Sequence, residues 1–207
     1  AGTGLVAFYD KPMILSLDIP PLAKHYAWLF LRQNNMGQRG TFDGTKEQQY
    51  TGLLGEICFK RLSTGLWPML EAGYDGGFDL TLDNRRVDVK TMGRNVRVRP
   101  DFVHNFVMEQ ANLAAETLIF QSLIKKTSTI ELCGWINKAE ALGQGEIIPK
   151  GAVRTRKDGT TFTTGAELLE VPQAILKPFS GHLNIPLEES RMVGPLFPLE
   201  HLQIALL

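Results

Sequence analysis

Two aspartates and a lysine, Asp79, Asp88 and Lys90, fall in the stretch from Gly73 to Thr91, which reads as two short strands around a turn at Asp83-Asn84. Aspartate and asparagine tolerate the positive φ that a two-residue hairpin loop needs, so this pair sets the register. Counting outward, Leu82 faces Arg85, Thr81 faces Arg86, Leu80 faces Val87 and Asp79 faces Asp88. Strand side chains alternate, which puts Asp79, Asp88 and Lys90 on one face and Leu80, Leu82, Val87 and Val89 on the other. Carboxylates set opposite one another destabilise a sheet unless a positive charge compensates. Mg2+, or Mn2+ in its place, is suited to that role, because it takes oxygen ligands and is often held by one or two carboxylates plus a phosphate. The carbonyl of Val89 offers a further oxygen, and Glu56, on a helix upstream, another carboxylate. Phosphodiester hydrolysis at neutral pH calls for a polarised phosphoryl oxygen, an activated water and positive charge beside the transition state. The pattern therefore assigns metal contact to Asp79, Asp88, Val89 and Glu56, and places Lys90 beside the water and the phosphate.

Holding these groups requires a helix for Glu56 and a sheet behind the hairpin. Thr45 to Leu62 has helical patterning, with Thr45 as N-cap and Leu53, Leu54, Ile57, Cys58 and Leu62 as a buried stripe. Gly52 and Gly55 weaken this helix but allow close approach to a neighbouring backbone. Upstream, Met13 to Ile19 reads as a strand stopped at Pro20-Pro21, and Leu22 to Gln33 as a helix. Downstream come a basic loop from Met92 to Asp101 and three strands, Phe102 to Glu109, Thr117 to Ile124 and Thr129 to Ile136. One helical turn follows at Lys138 to Leu142, then a hairpin at Lys157-Asp158-Gly159-Thr160, a short element at Val171 to Leu176 and a proline-bearing tail from Gly181.

A chain of 207 residues, 43% apolar and 21% charged, suits a single folded domain. Its formal net charge is zero, so any polyanion site must be a local patch. The run from Arg85 to Arg99 is such a patch, with Arg85, Arg86, Arg94, Arg97 and Arg99 as candidate nucleic-acid contacts beside Lys90. Cys58 and Cys133 lie in apolar segments and read as free thiols. The four histidines are scattered, and no paired-cysteine motif suggests zinc. Glycine-rich phosphate loops and a nucleophilic serine motif are lacking. With no long apolar run or signal-peptide pattern, the expectation is a cytoplasmic protein without a membrane partner.

Asp79 followed by Asp88-Val89-Lys90, with Glu56 on a preceding helix, resembles the PD-(D/E)XK, restriction-endonuclease-like nuclease superfamily. The resemblance covers roughly residues 45 to 140, taking in the strand from Glu131 to Ile136. Phe78 stands where the family motif has proline, and the gap between the aspartates is short. The implied fold is α/β (α+β): a central mixed sheet flanked by helices, in the order helix, three-strand meander, helix, strand. To this are added an N-terminal extension (1–44, with one helix) and a C-terminal β or irregular extension (141–207) within one nuclease domain. The implied activity is Mg2+-dependent cleavage of DNA, in preference to RNA, with Asp79 and Asp88 as ligands, Lys90 as the catalytic lysine and Glu56 as the helix carboxylate. Gln110 matches the polar residue that some members carry after the third strand. Two further readings stay open: a catalytically silent nucleic-acid-binding relative, and a homodimeric junction-resolving endonuclease. The plain alternative is a surface hairpin whose Asp88 and Lys90 are merely solvated.

Overall fold

Asp83 and Asn84 adopt φ of 47° and 61°, both in the left-handed region, and close a tight two-residue turn. This is a computed structural model, and it describes residues 14–34, 44–70, 76–155, 159 and 161–179. The turn joins β2 (Leu80–Leu82) to β3 (Arg85–Arg94), paired as Leu82 with Arg85, Thr81 with Arg86 and Leu80 with Val87. The anticipated register holds over these three pairs. Behind the hairpin, β3 runs parallel to β5 (Thr117–Ile124), which is antiparallel to β6 (Thr129–Asn137), itself antiparallel to β1 (Leu15–Asp18). The result is a mixed five-stranded sheet in the order β1-β6-β5-β3-β2. Every residue of β5 is buried, as befits a central strand covered on both faces.

One face carries two helices. α1 (Pro21–Gln33) starts with proline at its first turn, where the missing N–H has no partner to lose. α2 (Lys46–Thr64) begins with a capping box: the Thr45 side chain accepts from Gln48 N, and the Gln48 side chain accepts from Thr45 N. Its apolar stripe (Leu53, Leu54, Ile57, Phe59, Leu62) packs with Val87, Val89, Ile119 and Leu132, and Leu80 and Leu82 join the same cluster. The apolar face assigned to the hairpin is thus the face under α2. Gly55 sits directly on the sheet: a Cβ there would lie 1.9 Å from Thr91 Oγ1 and 2.6 Å from Gln121 Nε2. At Gly52 a Cβ would meet nothing within 4 Å.

The opposite face is covered by a second, three-stranded sheet of β4 (Val103–Val107), β10 (Leu168–Pro172) and β7 (Glu146–Ile148), in the order β4-β10-β7. Phe106, Leu169 and Val171 pack there against Leu118, Phe120, Cys133 and Ile136. α3 (Lys138–Gln144) follows β6, and β8 (Val153–Thr155) pairs with β9 (Thr161–Thr163).

This mixed α/β architecture departs from the anticipated order in one respect that matters. The third strand does not extend a meander; as β4 it leaves for the second layer, and the link from β4 to β5 contains a 3-10 turn at Met108–Gln110 instead of a helix. The cause is a set of polar ties laid over the sheet face. The Glu131 carboxylate, on β6, accepts from Val98 N at 2.7 Å and from Arg97 Nε at 2.6 Å, while Arg94 donates to Val103 O at 2.6 Å. They carry residues 95–103 across the face. Met92 to Arg94, anticipated as loop, belong to β3, and α3 is seven residues rather than one turn. The element anticipated at Val171 to Leu176 is the end of β10 and a 3-10 turn, Gln173–Ile175. Of the 157–160 hairpin only Gly159 is described, and the tail from Gly181 lies outside the described residues. Among the described residues no helix is long and apolar enough to cross a membrane.

Candidate active site

The β2–β3 ladder ends at Leu80 and Val87, and Asp79 takes over where it stops. Its backbone N–H donates to Val87 O at 2.8 Å, but the next bond along is made by the side chain: Val89 N–H donates to Asp79 Oδ2 at 2.6 Å. Asp79 therefore does not stand opposite Asp88 as a ladder pair, which corrects the simple cross-strand picture. Its carboxylate instead replaces the strand backbone at the open edge of β3. A strand residue points its N–H and C=O to the same side, so the Val89 carbonyl faces this edge as well.

Asp88 and Lys90 are two residues apart on β3 and share the face away from α2. Lys90 Nζ lies 2.7 Å from Asp88 Oδ2, with both side chains largely buried, and 5.7 Å from the centre of the Phe106 ring on β4. Glu56 projects from α2 toward the same end of the hairpin, with its Oε1 2.6 Å from Lys60 Nζ one turn further along. Burial pushes the Asp79 carboxyl well above the usual carboxylate range, and the negative charges of Glu56 and Asp88 push it further; Lys90 and the Val89 N–H pull the other way. Glu56, Asp88 and Lys90 thus all lie within electrostatic reach of Asp79.

Among the described residues, no three His, Cys, Asp or Glu side chains converge closely enough to hold a metal ion as they stand. The hydrogen bonds explain why. Each carboxylate has taken the nearest positive donor: Lys90 for Asp88, Lys60 for Glu56 and a backbone N–H for Asp79. The donor set still suits a hard divalent cation, being all oxygen and crowded enough with negative charge to disfavour ionisation of Asp79. Mg2+ commonly needs only one or two carboxylates from the protein. Asp79, Asp88 and the Val89 carbonyl would hold such an ion, with Glu56 joining after release from Lys60.

The basic run behaves differently from its anticipated role as a phosphate-binding rim. Arg94 is turned inward: it donates to Ser122 Oγ at 3.0 Å and Val103 O at 2.6 Å and stacks on Phe102, and burial lowers its pKa. It ties β3 to β4. Arg97 pairs with Glu131, a side chain only 2% exposed, yet keeps most of its own surface (73%) in solvent. Arg99 stacks on Phe102 and lies 3.6 Å from Asp101. Arg86 is paired with Glu116, and Arg85 contacts Asn137. Gln110 lies in the 3-10 turn leaving β4, where its carbonyl accepts from Leu113 N.

Three residues absent from the sequence reading join the site. Lys60, four residues beyond Glu56, was legible from helical spacing. Phe106 was not, since nothing local reveals that β4 folds over Lys90. Lys138, at the start of α3, is close enough to Asp88 and Lys90 for both charges to act on it. No family model, curated protein or solved structure matches the chain.

Proposed function

We propose that the protein is a metal-dependent nuclease of the restriction-endonuclease-like type, cleaving phosphodiester bonds of DNA at the open end of the β2–β3 hairpin. The observation that carries the reading is the gathering of Asp88 and Glu56 within electrostatic reach of the buried Asp79, with Lys90 on the Asp88 carboxylate. A buried excess of carboxylates destabilises a fold, and such excesses concentrate where chemistry uses them. A helix, α2, packed on a central mixed sheet that includes the β2–β3 hairpin is what the superfamily resemblance also calls for.

Bound Mg2+ or Mn2+ would supply Lewis-acid polarisation of a phosphoryl oxygen and acidify a coordinated water. Asp79, Asp88 and the Val89 carbonyl would hold that ion, on the side of the cleft where the reading places the reacting phosphate. Lys90 is held by the Asp88 carboxylate and lies near the Phe106 ring, beside the position that the reading gives to the phosphate. There it orients the attacking water and offsets the charge that builds on the phosphoryl oxygens. Glu56, now bonded to Lys60, would join the ligand set on release, and Lys60 would then be a further cation near the cleft.

The test is a cleavage assay with supercoiled, linear, single-stranded and branched DNA in Mg2+ or Mn2+, comparing wild type with Lys90→Ala. Cleavage by wild type and its loss in the variant support the reading; equal cleavage by both contradicts it. A second reading, a silent nucleic-acid-binding fold, draws on the Lys90–Asp88 and Lys60–Glu56 pairs, which neutralise two of the carboxylates. Binding without cleavage of any substrate would select it.

A further inference from the structure

A further cation beside the hairpin comes from the start of α3, just past the end of β6. Across the sheet, Asp88 pairs with Leu118 of β5, and Leu118 with Ile136 of β6, so these three lie in one row. Lys138 follows Ile136 by two residues and opens α3 at the same end of the sheet as Asp79. Its backbone N–H donates to Glu116 O, and Glu116 N in turn donates to Arg86 O, while Ala115 N donates to Gly77 O. The start of α3, the loop 111–116 and the hairpin are thereby stitched into one rim. The Lys138 ammonium is held against this rim by the Leu113 carbonyl. That bond uses one of three N–H donors and leaves the others for a ligand.

Its neighbours differ from it in one respect. The Arg86 guanidinium is neutralised by Glu116, which also accepts the Arg86 backbone N–H. Among the described residues Lys138 is ion-paired with no carboxylate; its ammonium rests on a neutral carbonyl, and burial lowers its affinity for a proton, partly offset by Asp88 and Glu116. A half-buried ammonium with open donors, two strands to the side of Lys90, is built to take a second negative charge. Lys90 is in row with Phe120 and Gly134, so Lys138 lies four positions further along the sheet as well as two strands across, yet the charges of Asp88 and Lys90 both act on its ammonium, a placement that suits a phosphate beside the reacting one.

We infer that Lys138 is a substrate-positioning residue that contacts a backbone phosphate next to the scissile position, fixing the strand's path from β3 toward β6. This rests on the nuclease reading and adds the direction in which the nucleic acid crosses the sheet. Lys138 binds as a point charge, so its contribution follows ionic strength and not base sequence.

The experiment measures binding of a fluorescein-labelled DNA duplex by anisotropy in EDTA over a range of salt, for wild type, Lys138→Gln and Lys138→Arg. Loss of one phosphate contact reduces the slope of log K against log salt by about 0.9. Lys138→Gln should show that reduction and several-fold weaker binding at low salt, with Lys138→Arg restoring both. A merely structural role would change the melting temperature of Lys138→Gln without altering the slope. Measurable binding by wild type with an unchanged slope in Lys138→Gln overturns this inference and leaves the nuclease reading standing. Absence of DNA binding by wild type in EDTA and again with Ca2+ in its place overturns both.

Discussion

Gly52 and Gly55 lie three residues apart on α2, and alanine at the two positions should act in opposite directions. In a helix interior alanine is favoured over glycine by about 0.8–1 kcal/mol. At position 52 the new methyl meets nothing within 4 Å, so that gain is realised. Position 55 is different, because the methyl would be 1.9 Å from Thr91 Oγ1, 2.6 Å from Gln121 Nε2 and 2.7 Å from Thr91 Cβ. Turning the Thr91 side chain relieves only the first contact, since its Cβ is fixed by the β3 backbone. Helix α2 must then retreat from the sheet, and overpacking of this kind costs about 1–3 kcal/mol, with this case near the upper end. Subtracting the propensity gain leaves Gly55→Ala less stable by about 2 kcal/mol. For a chain of this size that lowers the melting temperature by roughly 4–8 °C, while Gly52→Ala raises it by roughly 2–4 °C. Thermal melts followed by circular dichroism decide the matter. Because Glu56 adjoins Gly55, any catalytic activity of Gly55→Ala should fall further than its stability predicts. A Gly55→Ala protein that melts at or above wild type would refute the close seating of α2 on β3.

Lys90→Ala should lower cleavage by about 10²–10⁴-fold with little change in DNA affinity, checked by single-turnover kinetics alongside anisotropy. Asp79→Asn keeps an acceptor for the Val89 N–H and removes a crowded charge. The native carboxyl binds its proton more readily than the unfolded one, so its contribution favours folding at low pH and is lost as pH rises through the raised value. The metal-free variant should therefore melt higher than wild type at neutral pH, and added Mg2+ should stabilise it less; a lower melt would contradict the crowding. His104, fully buried between the sheets and bonded to Gln173 at 2.7 Å, has its pKa lowered by burial to about 4 from 6.5. The unfolded chain takes up this proton first, so stability falls by about 3 kcal/mol as pH drops from 6.5 to 4. Urea melts should show a smaller acid loss in His104→Gln, and equal losses would argue against the buried neutral ring. Arg94→Ala should destabilise by about 2 kcal/mol through its lost bonds, whereas Arg99→Gln should leave the melt unchanged while reducing the salt dependence of DNA binding; the reverse pattern would return Arg94 to the surface.

The parts of this fold that local chemistry determines were legible beforehand. Asp83-Asn84 specified its turn and hence three cross-strand pairs, and Thr45 as N-cap marked the start of α2. The alternation of Leu80, Leu82, Val87 and Val89 identified the face beneath the helix. What escaped were contacts that depend on the second layer. Nothing in Phe102 to Glu109 distinguishes a strand that extends a meander from one that crosses the sheet, because the decision lies with Glu131, more than 20 residues on, and its bonds to Arg97 and Val98. Partners equally distant in sequence tie down most of the basic run that reads as a free rim: Glu131 for Arg97, Ser122 for Arg94 and Glu116 for Arg86. Asp79 was placed in the right neighbourhood but with the wrong partner, since pairing rules do not foresee a side chain standing in for a strand backbone.

The carboxylates at the end of the hairpin can be examined directly by crystallising the protein with Mn2+ and collecting anomalous diffraction. The account predicts a peak touching Asp79, Asp88 and the Val89 carbonyl, with Glu56 turned away from Lys60. A structure with no peak at these oxygens under saturating Mn2+, and with the Lys90–Asp88 and Lys60–Glu56 pairs intact, would contradict it.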